Sequence, residues 1–120
     1  MNQHQRIAQM TLASVYPLYK NKIEKKGRTQ DELDHVISWF TGLDKKTWQQ
    51  KMEALETFSV FFTNVHLPSA STLITGNICG YRIEEIENPL TQKVRMLDKL
   101  VDELAKGRSL DKIIRKFPTT

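Results

Sequence analysis

The stretch from Asn88 to Gly107, NPLTQKVRMLDKLVDELAKG, constrains the fold more strongly than any other part of the chain. Asn88 can cap a helix with its side-chain oxygen, and Pro89 suits the first helical position, where no N–H is needed. Gly107 can adopt the left-handed conformation that ends a helix. Between these signals, apolar residues recur three and four positions apart, the spacing of one helical face, at Leu90, Val94, Leu97, Val101 and Leu104. We therefore expect a central helix over 89–106 whose apolar face must be covered by the rest of the chain.

The opposite side of this helix carries four charged residues, Arg95, Lys99, Asp102 and Lys106. Asp102 and Lys106 form an acid-first pair one turn apart, and such a pair adds ~0.3 kcal/mol to helix stability. We expect this side to be a solvated surface, which places any binding site elsewhere in the chain.

The first 30 residues predict one helix after a frayed lead-in over 1–10. Thr11 or Ser14 can cap this helix, and apolar residues at helical spacing follow. Pro17 is compatible with the helix only in its first turn, because proline has no N–H for an interior hydrogen bond.

Cap signals mark three more helices. Thr29 and Glu32 have the spacing of a capping box, and Asp44 can cap the helix after it. Near the end of the chain, Ser109 can cap a short helix that Pro118 would end. We expect the short connections to make consecutive helices near-antiparallel neighbours.

Residues 69–87 allow two interpretations. A helix would bring Gly76 and Gly80 one turn apart, and this is the interpretation that we prefer. The alternative is a β-hairpin over 72–83 that turns at Gly76-Asn77, and it gains support because two interior glycines cost a helix about 2 kcal/mol. The predicted fold is therefore all-α, a compact bundle of five or six short helices around the helix at 89–106. The alternative is α+β, with a small hairpin at 72–83.

The length and composition of the chain limit the classes of protein to which it can belong. A chain of 120 residues predicts a single domain over 1–120, and its net charge of +4 permits an anionic partner without requiring one. Cys79 is the sole cysteine, which excludes an intrachain disulfide and fits a reducing compartment. No apolar run approaches the ~18 residues of a membrane span. We expect a cytoplasmic protein with no membrane partner.

Three long phrases of the chain are similar to a known family. They are LASVYPLYKNKIEKKGRTQDELDHVISWFTG, TLITGNICGYRIEEIENPL and RMLDKLVDELAKG. They resemble domain-of-unknown-function family 2200, an uncharacterised bacterial family, and the resemblance extends roughly from Ile7 to Ile114. It implies a small stand-alone cytoplasmic protein, and it implies no activity, ligand or catalytic residue.

The sequence predicts no metal, cofactor or catalytic constellation. Glu32 and His35 have the Glu-x-x-His spacing of di-iron bundles, but the helical phase turns His35 toward solvent. His4 and His66 are distant in sequence, and a structural zinc site would need more ligands. Cys79 lacks a neighbouring base and remains a minor candidate for ligand binding. The sequence does not decide whether the protein is an enzyme, and it favours a protein without enzymatic activity.

The charged cluster before the central helix is the best candidate for a small-molecule site. It contains Arg82, Glu84, Glu85 and Glu87. Arg82 can bind a carboxylate or a phosphate through two parallel hydrogen bonds if the fold turns it toward a cleft. The competing interpretation is an ordinary solvated face of ion pairs.

Nucleic-acid binding is a second hypothesis. The predicted helix, the Gly42-Leu43-Asp44 turn and the following helix have the outline of a helix-turn-helix motif. Lys45, Lys46 and Lys51 on the second helix can meet phosphates. Acidic residues at the start of the preceding helix would oppose this, so we consider nucleic-acid binding an alternative.

The third hypothesis, and the one we favour on sequence, is a helical interaction module that self-associates into a homo-oligomer. It follows from the several amphipathic helices and the lack of catalytic motifs. Trp39 and Tyr81 are the aromatic residues expected at such an interface.

Overall fold

Seven α-helices and one two-stranded hairpin form the regular structure of residues 1–117, which are the residues that the computed structural model describes. Three 3₁₀ turns, at 62–64, 69–73 and 83–85, join them. The predominantly helical bundle predicted from the sequence is confirmed. The elements are α1 (Gln3–Gln9), α2 (Leu12–Glu24), α3 (Gln30–Thr41), α4 (Lys45–Glu53), α5 (Phe58–Phe61), β1 (Asn77–Ile78), β2 (Tyr81–Arg82), α6 (Pro89–Ala105) and α7 (Leu110–Ile113).

The central helix α6 forms as predicted. Asn88 Oδ1 accepts a hydrogen bond from the Thr91 N–H at 2.9 Å, and Gly107 has a φ of +91° just beyond the helix. The predicted apolar stripe is buried along most of its length. Five helices contact α6, which makes it the common wall of the core; they are α1, α2, α3, α5 and α7.

The charged side of α6 is not the solvated surface that we expected. Arg95 lies with its Cζ 5.0 Å from the centre of the Tyr81 ring, and Lys99 Nζ donates to the carbonyl of Asn77 at 3.1 Å. The hairpin formed by β1 and β2 therefore covers part of this side. Only the last turn matches the prediction, where Asp102 pairs with Lys106 at 3.0 Å on the surface.

The frayed lead-in expected for residues 1–10 is wrong, because Gln3–Gln9 form a helix. Asn2 and Gln5 make a reciprocal capping box, with backbone-to-side-chain distances of 2.9 and 3.0 Å. Ile7 is buried against the core. One buried residue in seven is too weak a pattern to indicate a helix from sequence.

Helix α2 begins one turn earlier than its proline led us to expect. Thr11 Oγ1 accepts from the Ser14 N–H at 3.1 Å, so Thr11 is the cap and Pro17 lies inside the helix. Pro17 consequently offers no N–H to the carbonyl of Ala13. The energy that this costs is offset by burial of the predicted face, which contains Leu12, Val15, Tyr16, Tyr19 and Ile23.

The helix preferred for residues 69–87 is wrong, and the alternative hairpin is present in a short form. Asn77 pairs with Arg82 and Ile78 with Tyr81, so the turn is Cys79-Gly80 and not Gly76-Asn77. Both turn residues have positive φ, +51° and +82°, as a two-residue hairpin turn with matching twist requires. Glycine satisfies this without cost, whereas cysteine does not, and that is why Cys79-Gly80 escaped prediction.

Three of the predicted caps are confirmed or partly confirmed. Thr29 and Glu32 form a capping box, and Asp44 Oδ1 accepts from the Thr47 N–H at 2.7 Å. Ser109 precedes α7 but makes no side-chain cap bond. Helix α7 ends at Ile113, and Pro118 lies outside the described residues. After α7, Arg115 forms two hydrogen bonds of 2.7 Å to the buried carboxylate of Glu103 on α6.

Leu55 ends α4 in a conformation that suits glycine. Its φ is +57°, and the Glu56 N–H returns to the carbonyl of Lys51 at 3.3 Å, the backbone pattern of a helix closed by a left-handed residue. The Leu55 side chain is 65% exposed, so little burial offsets the strain.

We predict that Leu55→Gly will be more stable than Leu55→Ala. Both variants remove the exposed side chain, but only glycine relieves the strain of the left-handed conformation, which is roughly 1–2 kcal/mol. Glycine also loses more conformational entropy on folding than alanine does, and this offsets about 0.5–1 kcal/mol of the gain. Chemical denaturation should give Leu55→Gly a free energy of unfolding higher by about 0.5–1 kcal/mol. Equal stability of the two variants would show that Leu55 is not held at positive φ.

Candidate functional site

The candidate site is a cavity where the hairpin meets the start of α6. We call it the hairpin notch. It is an open depression of about 390 Å³, and most of its lining residues are polar or charged. They come from three separate segments: His4 from α1, Gly80, Tyr81 and Arg82 from the hairpin, and Glu85, Ile86, Glu87 and Asn88 from the approach to α6.

Arg82 is held only loosely at the wall of the notch. Its side chain is 57% exposed, and its Nε lies 3.8 Å from Glu84 Oε1 while its Nη1 lies 3.6 Å from Glu85 Oε1. Both distances exceed those of a good N–H···O hydrogen bond. Long, exposed ion pairs of this kind contribute little stability. The guanidinium can therefore turn to an incoming acceptor at small cost.

Glu84 has a different role from the one predicted for it. Its Oε2 accepts from the Gly76 N–H at 2.9 Å, and this backbone hydrogen bond holds the pKa of Glu84 below its ordinary value. Glu84 does not line the notch. It fixes the entrance of the hairpin, whereas Arg82 and Glu85 are brought together in the notch.

His4 is a notch residue that sequence reasoning missed. Its Nδ1 lies 2.7 Å from the hydroxyl of Thr91, which is buried at the first turn of α6. This hydrogen bond joins positions 87 residues apart and holds the imidazole at the wall of the notch. No local pattern could have revealed it, since the helix that carries His4 was itself not predicted.

Tyr81 is anchored from beneath the hairpin. Its hydroxyl donates to Gln3 of α1, and its ring lies over the guanidinium of Arg95. Arg95 Nη1 in turn donates to Asp98 at 3.0 Å, and Asp98 also accepts from the hydroxyl of Tyr19. Burial and the neighbouring Asp98 carboxylate hold the pKa of Tyr19 well above its ordinary value, so Tyr19 remains a hydrogen-bond donor. The chain of contacts fixes one wall of the notch.

Cys79 is exposed at the hairpin turn but belongs to another depression. It lines a cavity of about 220 Å³ with Tyr19, Lys22 and Asp98 among others, and it does not line the hairpin notch. Cys79, a separate and minor candidate on sequence, therefore does not share the notch with Arg82 and Glu85.

The candidate nucleic-acid residues are largely paired within the chain. Lys45 Nζ lies 2.8 Å from Asp34 Oδ2, and Lys51 Nζ donates to Glu56 at 3.4 Å. Of these three lysines, only Lys46 has no carboxylate partner among residues 1–117. Nucleic-acid binding through this turn stays a prediction, and no feature of the turn favours it.

The Asp34 carboxylate is a second feature that sequence reasoning missed. It is buried between α2 and α4, where Oδ1 accepts from the Tyr16 hydroxyl at 2.5 Å and Oδ2 faces Lys45. Burial and Asp34 raise the pKa of Tyr16 above its ordinary value. Lys45 stands in the first turn of α4, where the helix dipole disfavours a cation. Its ammonium group nevertheless lies there because it neutralises the charge of Asp34.

Metal-ligand clusters and membrane-spanning helices were also sought. Within residues 1–117, no three His, Cys, Asp or Glu side chains are arranged to hold a metal ion. None of the helices in this range is both long enough and apolar enough to cross a membrane.

Known proteins share the fold without revealing an activity. A family model described as an uncharacterized protein conserved in bacteria (DUF2200) matches residues 6–115. The crystal structure of an uncharacterized protein, SP1917, is similar to this chain with 37% identity and a TM-score of 0.85, covering 95% of this chain and 93% of that one. No protein with a curated functional description matches. The resemblance noted in the sequence is confirmed, and neither description names a ligand.

We predict that Lys45→Met will lower the melting temperature, because it leaves the buried Asp34 without its counter-charge. Lys46→Met, one residue along the same helix, should have little effect. Adding Asp34→Asn to Lys45→Met should restore most of the loss, since the amide oxygen still accepts from Tyr16 while the buried charge is removed.

The pH dependence of the stability that Lys45 contributes follows from the direction in which its pKa is shifted. Pairing with Asp34 raises the pKa of Lys45 above the ordinary 10.5. The contribution of the pair is therefore complete below pH 10.5 and disappears as the pH rises through the higher pKa of the folded state. A difference between wild type and Lys45→Met that is lost already near neutral pH would contradict the ion pair.

Proposed function

We propose that this chain, which belongs to the uncharacterized bacterial family DUF2200, binds a small ligand that carries an anionic group in the hairpin notch. The observation that carries the proposal is the state of Arg82, a half-exposed guanidinium at the wall of the hairpin notch with only long ion pairs to its neighbours. A guanidinium can bind a carboxylate or a phosphate through two parallel hydrogen bonds, and such bonds are stronger than those between neutral groups.

The surroundings of Arg82 support an anion. The notch opens at the start of α6, a helix of 17 residues whose dipole places partial positive charge there. His4 lines the same cavity, and its Nδ1 is already bonded to Thr91, so the orientation of the ring is set before a ligand arrives. A preformed site loses less entropy on binding than one that must be ordered.

The proposal places the protein among binding proteins, with no catalytic step assigned to the notch. A cytoplasmic location belongs to the same proposal and is supported by the single, exposed Cys79, which suits a reducing compartment. Self-association, the function favoured from the sequence, has less support. Trp39 packs partly buried against the core, and Tyr81 is held by Arg95 and Gln3, so both aromatic side chains already have partners within the chain.

The proposal can be tested by titrating ¹⁵N-labelled protein with succinate and, separately, with inorganic phosphate, which distinguishes the two kinds of anion. We expect saturable chemical-shift changes at the amides from Gly80 to Asn88. Arg82→Ala should abolish saturation, because it removes the positive group that faces the cavity.

Arg6→Ala is the matched control, since Arg6 is an exposed arginine of α1 outside the cavity lining. It should leave the titration unchanged. Equal loss in both variants would indicate nonspecific attraction to a basic protein. Shift changes that never saturate into the millimolar range with either anion, or with glycine, which carries a carboxylate of its own, would reject the proposed function.

A further inference from the structure

We infer that the ligand of the hairpin notch is a small zwitterion of the α-amino acid type, with its carboxylate on Arg82 and its ammonium group on Glu85. This inference rests on the proposed function and specifies the ligand class. It follows from the balance of charges around the notch and from the separation of the Arg82 and Glu85 side chains.

The charges that line the notch exclude a simple ion as the best ligand. Two carboxylates, those of Glu85 and Glu87, line the notch together with Arg82, and Glu85 Oε1 lies 3.6 Å from Arg82 Nη1. A ligand with only an anionic group would take Arg82 and leave these carboxylates close to its own charge. A ligand with only a cationic group would meet Arg82 and the positive end of α6. A ligand with both charges avoids each of these repulsions.

The geometry of the Arg82–Glu85 pair supports insertion of such a ligand. Nη1 and Oε1 are 3.6 Å apart, too far for a good hydrogen bond and close enough that one small molecule can touch both. In an α-amino acid the carboxylate and the ammonium group are attached to the same carbon. Their close spacing therefore matches the short separation of the two side chains, and insertion replaces one weak ion pair by two charge-assisted hydrogen bonds.

The remaining lining leaves room for a side chain. The cavity of about 390 Å³ exceeds what the charged groups of an amino acid fill, and His4, Tyr81 and Asn88 supply polar contacts while Ile86 supplies an apolar one. Glu84 lies outside the lining, and its Oε2 is bound to the Gly76 N–H, so Glu85 is the carboxylate that lines the notch beside Arg82.

Three probes isolate the two charges without a side chain: glycine, N-acetylglycine, which lacks the ammonium group, and glycinamide, which lacks the carboxylate. Calorimetric or NMR titration of the full chain should show glycine binding at least about tenfold more tightly than either derivative, equivalent to about 1.4 kcal/mol for each charge. Arg82→Gln should remove the preference for glycine over glycinamide. Glu85→Gln should remove the preference for glycine over N-acetylglycine.

Arg6→Gln serves as the control variant and should keep both preferences. If N-acetylglycine binds through Arg82 as tightly as glycine does, the zwitterion inference is overturned while anion binding stands. If glycine, N-acetylglycine and succinate all fail to bind, the proposed function fails, and the inference fails with it. Circular dichroism of each variant will show that a lost preference does not come from unfolding.

Discussion

Burial of α6 is the interaction on which the rest of the structure depends. Its apolar stripe is covered by helices from both ends of the sequence, because α1, α2, α3, α5 and α7 all contact this one helix. Removing apolar surface from water is the largest favourable contribution to folding, and the buried residues of α6 form one hydrophobic cluster with those of the surrounding helices. The elements that cover α6 therefore take their positions from it.

The same helix also creates the hairpin notch. Its first turn holds Thr91, which binds His4, and Gln92, whose amide donates to the carbonyl of Ile83 at 3.1 Å. One turn later Arg95 supports Tyr81, and one turn after that Lys99 holds the hairpin through Asn77. Each contact is polar and lies on the side of α6 that appears solvated in the sequence. The helix thus joins the core to the candidate site, and a substitution in its first turn should alter both the packing of the core and the shape of the notch.

How well the sequence predicted each element depends on how local its cause is. The cap at Asn88 and the stripe from Leu90 to Leu104 are local signals, and α6 followed from them directly. The hairpin turn depends on Cys79 adopting positive φ, a conformation that is uncommon for any residue other than glycine. The sequence pattern therefore favours a helix that does not form over the hairpin that does.

The candidate site was predicted in part for the same reason. Arg82, Glu85 and Glu87 are neighbours in the chain, and their charges were visible as a cluster, although Glu84 proved to be a structural acceptor. His4 reaches the notch only through a contact across 87 positions, and the Tyr16–Asp34 bond likewise joins two helices. A single sequence contains no periodic signal for such pairs. They become visible only when the core has placed the helices.

The central claim is that the start of α6 gathers His4 and Arg82 into one ligand site, and a crystal structure of the protein grown with glycine tests it most directly. The account predicts that His4 Nδ1 stays bonded to Thr91, with the glycine carboxylate on Arg82 and its ammonium group on Glu85. A structure in which His4 lies away from Thr91 and glycine is absent from the notch, with Arg82 still facing Glu85, would contradict it.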